Sequence, residues 1–184
     1  MISENILKIT STFENEFGNL SNEQLNWKPS SDKWSIGQCI DHLLVTNNQY
    51  LPVLKKAIES KHKETFWEKN NPLTDYTGKN MIKTLGPVII KKYKSPKLFF
   101  PSKNNISMNI LSNFTYQQEE LFKVFKILED GKFSKIVITS PVAALLTLKV
   151  HDALKIISVH EERHLLQAIR IKQFETLGNP LIPK

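Results

Sequence analysis

Residues 150–171 read VHDALKIISVHEERHLLQAIRI, and the periodicity of this stretch decides the fold class. One face repeats at three- and four-residue steps, which is the spacing of an amphipathic helix. That face consists of Ala153, Ile157, His160, His164, Gln167, Ala168 and Ile171. Two of its positions therefore hold histidine where the pattern requires an apolar side chain. Because residues four apart stack on one side of a helix, we expect both imidazoles to point together into the core.

Three further segments show the same period, and each predicts an amphipathic helix. They are residues 2–20, 35–57 and 108–128. Ser35 and Gln38 open the second of them with the pattern of a capping box, in which each side chain satisfies a backbone amide of the other residue. Pro52 predicts a kink or an interruption of that helix near residues 48–52. Four amphipathic helices with one long crossover loop predict an all-α four-helix bundle.

The crossover between the second and third predicted helices has about 45 residues and no clear period. Such a length is uncommon in a compact domain, so we expect it to be functional or to carry minor structure. It holds four prolines, Pro72, Pro87, Pro96 and Pro101. After the third helix, residues 135–139 read KIVIT and predict a short extended piece.

Length and composition indicate one domain spanning residues 1–184, with 40% hydrophobic residues available for a core. Cys39 is the single cysteine, so no internal disulfide is possible, which fits a reducing compartment. The sequence shows no secretory leader and no run of about 18 apolar residues. We therefore expect a cytoplasmic protein with no membrane partner.

The net charge of +7 raises the question of a nucleic-acid partner. Only Arg163 and Arg170 supply guanidinium groups, on which bidentate base recognition depends, so we expect no nucleic acid. No Asp or Glu lies between Tyr76 and Gln118, whereas the crossover segment 79–103 is rich in lysine. Its lysines are Lys79, Lys83, Lys91, Lys92, Lys94, Lys97 and Lys103. This segment is either a solvated loop or a surface that attracts anions.

The two inward histidines require partners, because burial of an unpaired polar group is costly. His42 lies on the inward arc of the second predicted helix, so it can join His160 and His164. A metal ion satisfies neutral imidazoles at once, and these three residues are the predicted metal ligands. Three protein ligands leave a coordination position open, as catalytic sites do. The alternative is that each histidine is satisfied separately in the core; His62 and His151 are expected to be ordinary surface or capping residues.

Residues 160–164, HEERH, also match the H-E-x-x-H pattern of zinc metallopeptidases. Against a peptidase, twenty residues follow His164 and they contain no further histidine, while Glu175 lies in a polar tail. Glu161 lies about 100° round the helix from His160, so it could reach a water on the metal and is a catalytic candidate. The peptidase alternative stays open at this point.

Several further residues lie near the predicted histidine face, and their positions predict their roles. Gln167 continues that face and is the second catalytic candidate, as a hydrogen-bond donor beside the ligands. Gln118, on the third helix, is a further candidate for the site. Cys39 is expected to be a small packing residue and Asp41 to be solvated at the surface. Trp34 is expected to pack the entry of the second helix as a hydrophobic staple.

Two stretches, residues 33–43 (KWSIGQCIDHL) and 160–167 (HEERHLLQ), resemble the DinB-like (DinB/YfiT) superfamily of metalloenzymes. Residues 152–154 (DAL) and the crossover with Pro96 and Pro101 also resemble that superfamily. The resemblance covers nearly the whole chain in order and spacing.

The resemblance implies an up-down-down-up four-helix bundle in which His42, His160 and His164 hold zinc or nickel, frequently in a homodimer. Relatives of known activity include transferases and isomerases that use low-molecular-weight thiols such as bacillithiol or mycothiol. We therefore expect a metal-dependent enzyme that acts on small molecules, with transfer of such a thiol as the first hypothesis. The alternatives are a metal-dependent hydrolase and a non-catalytic metal- or ligand-binding stress protein.

Overall fold

The computed structural model describes residues 1–59, 63–88 and 96–176. Within these ranges the chain forms seven α-helices, two single-turn 3-10 helices and two short strands. The helices are α1 (Ile2–Phe17), α2 (Asn22–Asn26), α3 (Ile36–Ile58), α4 (Phe66–Asn70), α5 (Thr74–Leu85), α6 (Ile110–Leu128) and α7 (Val150–Thr176). The 3-10 helices are Lys97–Phe99 and Gly131–Phe133, and the strands are β1 (Val137–Thr139) and β2 (Thr147–Lys149).

The four long helices α1, α3, α6 and α7 correspond to the four predicted amphipathic segments. Helix α3 packs against α6 and α7, and α1 packs against the same two helices. The predicted interruption at Pro52 is wrong, because α3 runs without a break from Ile36 to Ile58. Pro52 lies on the exposed face of α3 between the buried residues Leu51 and Leu54, so water can hydrate the carbonyl that loses its amide partner.

The crossover is more structured than the predicted long loop. It contains α4, α5 and the 3-10 helix Lys97–Phe99, and α5 packs against α7 and β2. Met81, Ile82 and Leu85 of α5 lie partly buried against the core. The sequence did not predict this helix, because few apolar residues mark its inward face and Gly78 lies in its middle.

The all-α prediction is wrong in one respect, because β1 and β2 form a small antiparallel sheet. Val137 pairs with Lys149, and Thr139 pairs with Thr147. Strand β1 falls in the predicted extended piece, whereas β2 was not predicted. Since β2 leads directly into α7, the sheet fixes where the helix that carries two of the histidines begins.

The apolar core consists of two clusters, one toward each end of the long helices. The first cluster contains Ile6, Leu54, Phe125, Leu154 and Ile157 among others. The second contains Ile9, Phe13, Ile40, Phe114 and Leu165 among others. Helices α1 and α7 run from the first cluster to the second, and α3 and α6 run the opposite way.

A polar layer separates the two clusters. It is formed by Asn47 of α3, Gln117 and Gln118 of α6, and Glu161 of α7, all buried. No helix in the described ranges is both long and apolar enough to cross a membrane.

Candidate metal centre

The N-terminus of α3 fixes where His42 lies. Ser35 is the N-cap residue: its Oγ accepts a hydrogen bond from the Gln38 amide at 3.1 Å, and Gln38 Oε1 accepts one from the Ser35 amide at 3.2 Å. This is the predicted capping box. Gln38 Nε2 also donates to the Lys103 carbonyl at 3.3 Å, which ties the crossover to the start of the helix. His42 then follows within the first two turns.

The structure brings His42 of α3 together with His160 and His164 of α7, and we call these three residues the histidine cluster. Nε2 of His160 lies 3.3 Å from Nε2 of His42 and 3.1 Å from Nε2 of His164. Ligands about 2.0–2.1 Å from a tetrahedral zinc ion are about 3.3–3.4 Å from one another. The observed nitrogen spacing therefore fits a transition-metal ion.

Burial keeps the histidine cluster neutral. The pKa of His160 is lowered to about 3, and the pKa of His164 lies well below its usual range, because burial and then the neighbouring charges disfavour the imidazolium. Burial also lowers the pKa of His42, although the Phe99 carbonyl and Asp41 act in the opposite direction. All three rings are therefore neutral at pH 7, which is the form of imidazole that binds metals.

A hydrogen bond fixes the tautomer of His42. Its Nδ1–H donates to the backbone carbonyl of Phe99 in the 3-10 helix of the crossover. Nε2 of His42 therefore carries the lone pair that faces the other two rings. Hydrogen bonds of this kind orient metal-binding histidines and raise their basicity. Nδ1 of His164, in contrast, is buried without a hydrogen-bond partner among the described residues.

Trp34 covers the histidine cluster. The centroid of its ring lies 4.9 Å from that of His42 and 5.7 Å from that of His164, and the angle between the Trp34 and His164 planes is 24°. Trp34 also packs against the second apolar cluster, near the helix entry where we expected it. The staple prediction was therefore incomplete, since the indole is part of the wall around the histidines.

A cavity of about 860 Å³ opens beside the histidine cluster, between α3, α5, α7 and the end of the crossover. All three histidines line it. Its apolar wall includes Met81, Leu85, Phe99, Phe100, Ile156 and Ile157. Its remaining polar wall includes Asp32, Lys33, Asn80, Arg163 and Gln167. The predicted catalytic candidate Gln167 thus lies in the cavity wall, half-buried.

The other catalytic candidate, Glu161, faces away from this cavity into the polar layer. Its Oε1 accepts hydrogen bonds from Asn47 Nδ2 at 2.8 Å and from Gln118 Nε2 at 2.7 Å, and it is fully buried. Burial raises its pKa to about 7, although both amides lower it. Neither Glu161 nor Gln118 is among the residues that line the cavity beside the three histidines. Glu161 therefore lacks the position that a metallopeptidase requires of this carboxylate.

Asp41 is not solvated, contrary to our expectation. Its carboxylate is buried and accepts hydrogen bonds from the backbone amide and the hydroxyl of Ser102, the latter at 3.0 Å. The crossover returns over α3 at this point and covers a position that the helical pattern had placed outside. Cys39 is fully buried in the second cluster, where burial raises the pKa of its thiol, so it has the predicted packing role.

One histidine that the sequence singled out takes no part in the site. His151 is exposed at the start of α7. His62 and the crossover lysines Lys91, Lys92 and Lys94 lie outside the described residues.

Sequence reasoning missed three residues of the site: Phe99, Trp34 and Arg163. Phe99 acts through its backbone carbonyl, which leaves no sequence signal. Trp34 stands next to the capping box, and Arg163 is one of two arginines and precedes His164. Trp34 and Arg163 therefore stand next to sequence features that we recognised, but only the packing of the folded chain shows that they line the cavity.

The comparisons with known proteins agree with this geometry. The profile of the DinB superfamily matches residues 8–168. The uncharacterized protein YuaE of Bacillus subtilis (strain 168) is 30% identical over 168 residues, which cover 86% of this chain and 90% of that protein. No solved structure matches the chain significantly.

Proposed function

The chain belongs to the DinB superfamily, and from that membership and the histidine cluster we propose that it is a metal-dependent enzyme that transfers a low-molecular-weight thiol to a small electrophile. The observation that carries the proposal is the convergence of three neutral imidazole nitrogens from two helices on the wall of a large cavity. We propose zinc or nickel as the ion held by His42, His160 and His164.

The donor set fits such an ion. Zinc and nickel both take imidazole ligands, and three of these leave at least one coordination position open. When bound, a divalent ion supplies Lewis-acid chemistry that lowers the pKa of a thiol or of water. The unpartnered Nδ1 of His164 leaves a position for a further orienting hydrogen bond, and Gln167 lies one turn further along the same helix.

The residues around the histidine cluster bind and orient rather than transfer protons. The Phe99 carbonyl holds His42 in one tautomer, while Trp34 and Phe99 exclude water from one side of the cluster. The apolar wall offers a surface for the carbon skeleton of an electrophile.

The polar groups of the cavity favour thiol transfer over hydrolysis. Among the described residues of the cavity wall, Asp32 is the single carboxylate, and it is bound to the Ser30 hydroxyl at 2.6 Å and to Lys33 at 2.9 Å. A hydrolase that uses a carboxylate as general base lacks a free one in this wall, whereas a thiol with a lowered pKa is already a nucleophile.

Elemental analysis of protein purified without an affinity tag tests the metal part of the proposal. We expect about one equivalent of zinc or nickel in the wild type and a large loss in His42→Ala and in His164→Ala. His151→Ala is the matched control, because His151 is exposed on the same helix. Equal metal content in all four proteins would contradict the assignment of the ligands.

Turnover tests the reaction. Monochlorobimane is the electrophile, and a panel of cellular thiols is supplied to the metal-loaded wild type and to His164→Ala. We expect thiol consumption above the uncatalysed rate with the wild type alone. Metal binding without turnover of any thiol would reject the transferase and leave a metal- or ligand-binding protein.

We also propose an up-down-down-up four-helix bundle as the architecture and a homodimer as the assembly. The helix directions given by the two apolar clusters support the first. Sedimentation equilibrium tests the second: a mass near twice the 21.2 kDa of the chain is expected, and a mass of one chain excludes it.

A further inference from the structure

Arg163 is a charged residue of the cavity wall that has no counterion within the described ranges of the chain. It lies on α7 between His160 and His164, and it is half-buried. Its Nη1 donates to the backbone carbonyl of Thr84 at 2.8 Å, in the last turn of α5. A guanidinium has five N–H donors, so this single bond holds the group in place and leaves most of its donors for another acceptor.

Among the residues that the structure describes, no carboxylate compensates Arg163. The ion pairs of the described residues do not include it. The segments outside the described residues, 60–62, 89–95 and 177–184, contain neither Asp nor Glu. Asp32, the carboxylate of the cavity wall, is already bound to Ser30 and Lys33.

Partial burial of this cation without a partner is unfavourable. Arg163 therefore presents one localised positive charge beside an apolar wall. A ligand with one negative charge and an apolar body complements that arrangement.

We propose that Arg163 binds the anionic group of the ligand and that the cavity takes organic acids: a carboxylate on the guanidinium, and an apolar body along Leu85, Phe99 and Phe100. The planar guanidinium matches the two oxygens of a carboxylate. This inference rests on the proposed function in using the same cavity, but binding of the acid requires no metal.

A structural role is the alternative. Arg163 could serve only to cap the C-terminal carbonyls of α5, as basic side chains commonly do. In that case Arg163→Met changes stability without changing which ligands bind.

The test uses a matched pair of ligands, 4-phenylbutyrate and 4-phenylbutyramide, which share the apolar body and differ in charge. Both are titrated by calorimetry into metal-stripped protein and again after zinc is restored. We expect the wild type to bind the acid about tenfold more tightly than the amide in both states. Arg163→Met should abolish this preference, while Arg170→Met, an exposed arginine on the same helix, should keep it.

Chemical modification gives a readout on the wild type that does not depend on a variant folding. Phenylglyoxal modifies arginine, and mass spectrometry distinguishes Arg163 from Arg170 because they are the two arginines of the chain. We expect 4-phenylbutyrate, but not the amide, to slow modification of Arg163 and to leave Arg170 unchanged.

Three results would overturn the inference. They are equal binding of acid and amide by the wild type, an undiminished preference in Arg163→Met, and a preference that appears only with zinc and disappears in His164→Ala. The last would place the carboxylate on the metal. Metal content measured on Arg163→Met separates this failure from a failure of the proposed function, because that variant should retain the metal.

Discussion

At the scale of single residues, burial and hydrogen bonding decide which polar groups can act. The histidine cluster is buried as neutral rings with lone pairs converging, whereas Glu161, one residue away in sequence, is buried among amide donors. A rotation of about 100° along α7 separates these two environments. The H-E-x-x-H motif therefore combines a histidine face and a structural face of one helix.

Glu161 makes the stability of the metal-free protein depend on pH. Its folded pKa of about 7 exceeds the usual glutamate pKa of 4.5, so the folded state holds a proton that the unfolded state releases between these values. The stabilising contribution is complete below about pH 4.5 and is lost as the pH rises through about 7. Glu161→Gln removes the titrating group, so its free energy of unfolding relative to the wild type should increase by about 2–3 kcal/mol from pH 4.5 to pH 8.

Urea unfolding in the presence of EDTA measures this difference at the two pH values. Glu175→Gln, in the last turn of α7, is a control that should not change the pH dependence. If the free energies of unfolding of Glu161→Gln and the wild type differed by the same amount at both pH values, the raised pKa of Glu161 would be contradicted.

At the scale of elements, the crossover positions the site as much as the long helices do. The buried Asp41 of α3 binds Ser102, and three residues earlier the Phe99 carbonyl orients His42. Helix α5, within the crossover, supplies the Thr84 carbonyl that holds Arg163. The crossover is therefore part of the site and not only a connection.

Asp41→Ala should loosen this anchor. The variant removes the acceptor of the Ser102 amide and hydroxyl, and the loss of these hydrogen bonds to a charged group costs about 1–3 kcal/mol of unfolding free energy. Because the Phe99 carbonyl then orients His42 less firmly, zinc affinity should fall about tenfold. Competition with a chromogenic chelator measures the affinity.

The control for Asp41 is Asp75→Ala, which removes an exposed ion pair with Lys149 of 2.6 Å. It should cost less than about 1 kcal/mol and leave zinc affinity unchanged. Equal zinc affinity in the wild type and Asp41→Ala would mean that the contact between Asp41 and Ser102 does not affect the orientation of His42.

Helix α5 approaches α7 closely at Gly78. A Cβ at this position would lie 2.5 Å from Asp152 Oδ2, 2.9 Å from its Cγ and 3.1 Å from its Cβ. Gly78→Ala should therefore destabilise the fold by about 1–3 kcal/mol, although alanine is the better helix former. Asp152→Ala in the same chain removes the two nearest atoms and should restore part of the loss, as a double-mutant cycle of thermal unfolding measures.

Gly131→Ala is the matched control, because nothing lies within 4 Å of a Cβ there. If Gly78→Ala were as stable as Gly131→Ala, the contact between α5 and α7 would not be tight.

At the scale of the whole molecule, the polar layer divides the core in two. The apolar clusters lie on either side of it, and His160 and His164 occur on α7 at its level, between Ile157 and Leu165. Such a layer costs desolvation that two continuous apolar clusters would avoid. A metal held by α3 and α7 adds a cross-link between helices that are more than a hundred residues apart in sequence.

Metal binding should therefore stabilise the folded protein as a whole. Since the three ligands converge only in the folded chain, zinc at about 100 times its dissociation constant should add about 2.7 kcal/mol and raise Tm by about 5–10 °C over EDTA-treated protein. Differential scanning calorimetry measures the shift. It should be largely lost in His42→Ala and retained in His151→Ala, and an equal shift in both variants would place the binding elsewhere.

The four long helices, the capping box of α3 and the three histidines were predictable from local patterns, because each depends on a periodicity or a spacing within one segment. Even the helix ends agree closely, as α3 begins after Ser35 and α6 ends at Leu128. These features arise from contacts between neighbours in the chain.

Only the tertiary structure decided what surrounds the histidines. The burial of Asp41 by Ser102, the wall formed by Trp34 and the anchoring of Arg163 by Thr84 join segments that are far apart in sequence. Strand β2 and helix α5 likewise take their stability from packing against other elements rather than from a strong local pattern. Side chains that meet through the fold leave no periodic trace in the sequence, and for that physical reason the cavity and its uncompensated charge became visible only in three dimensions.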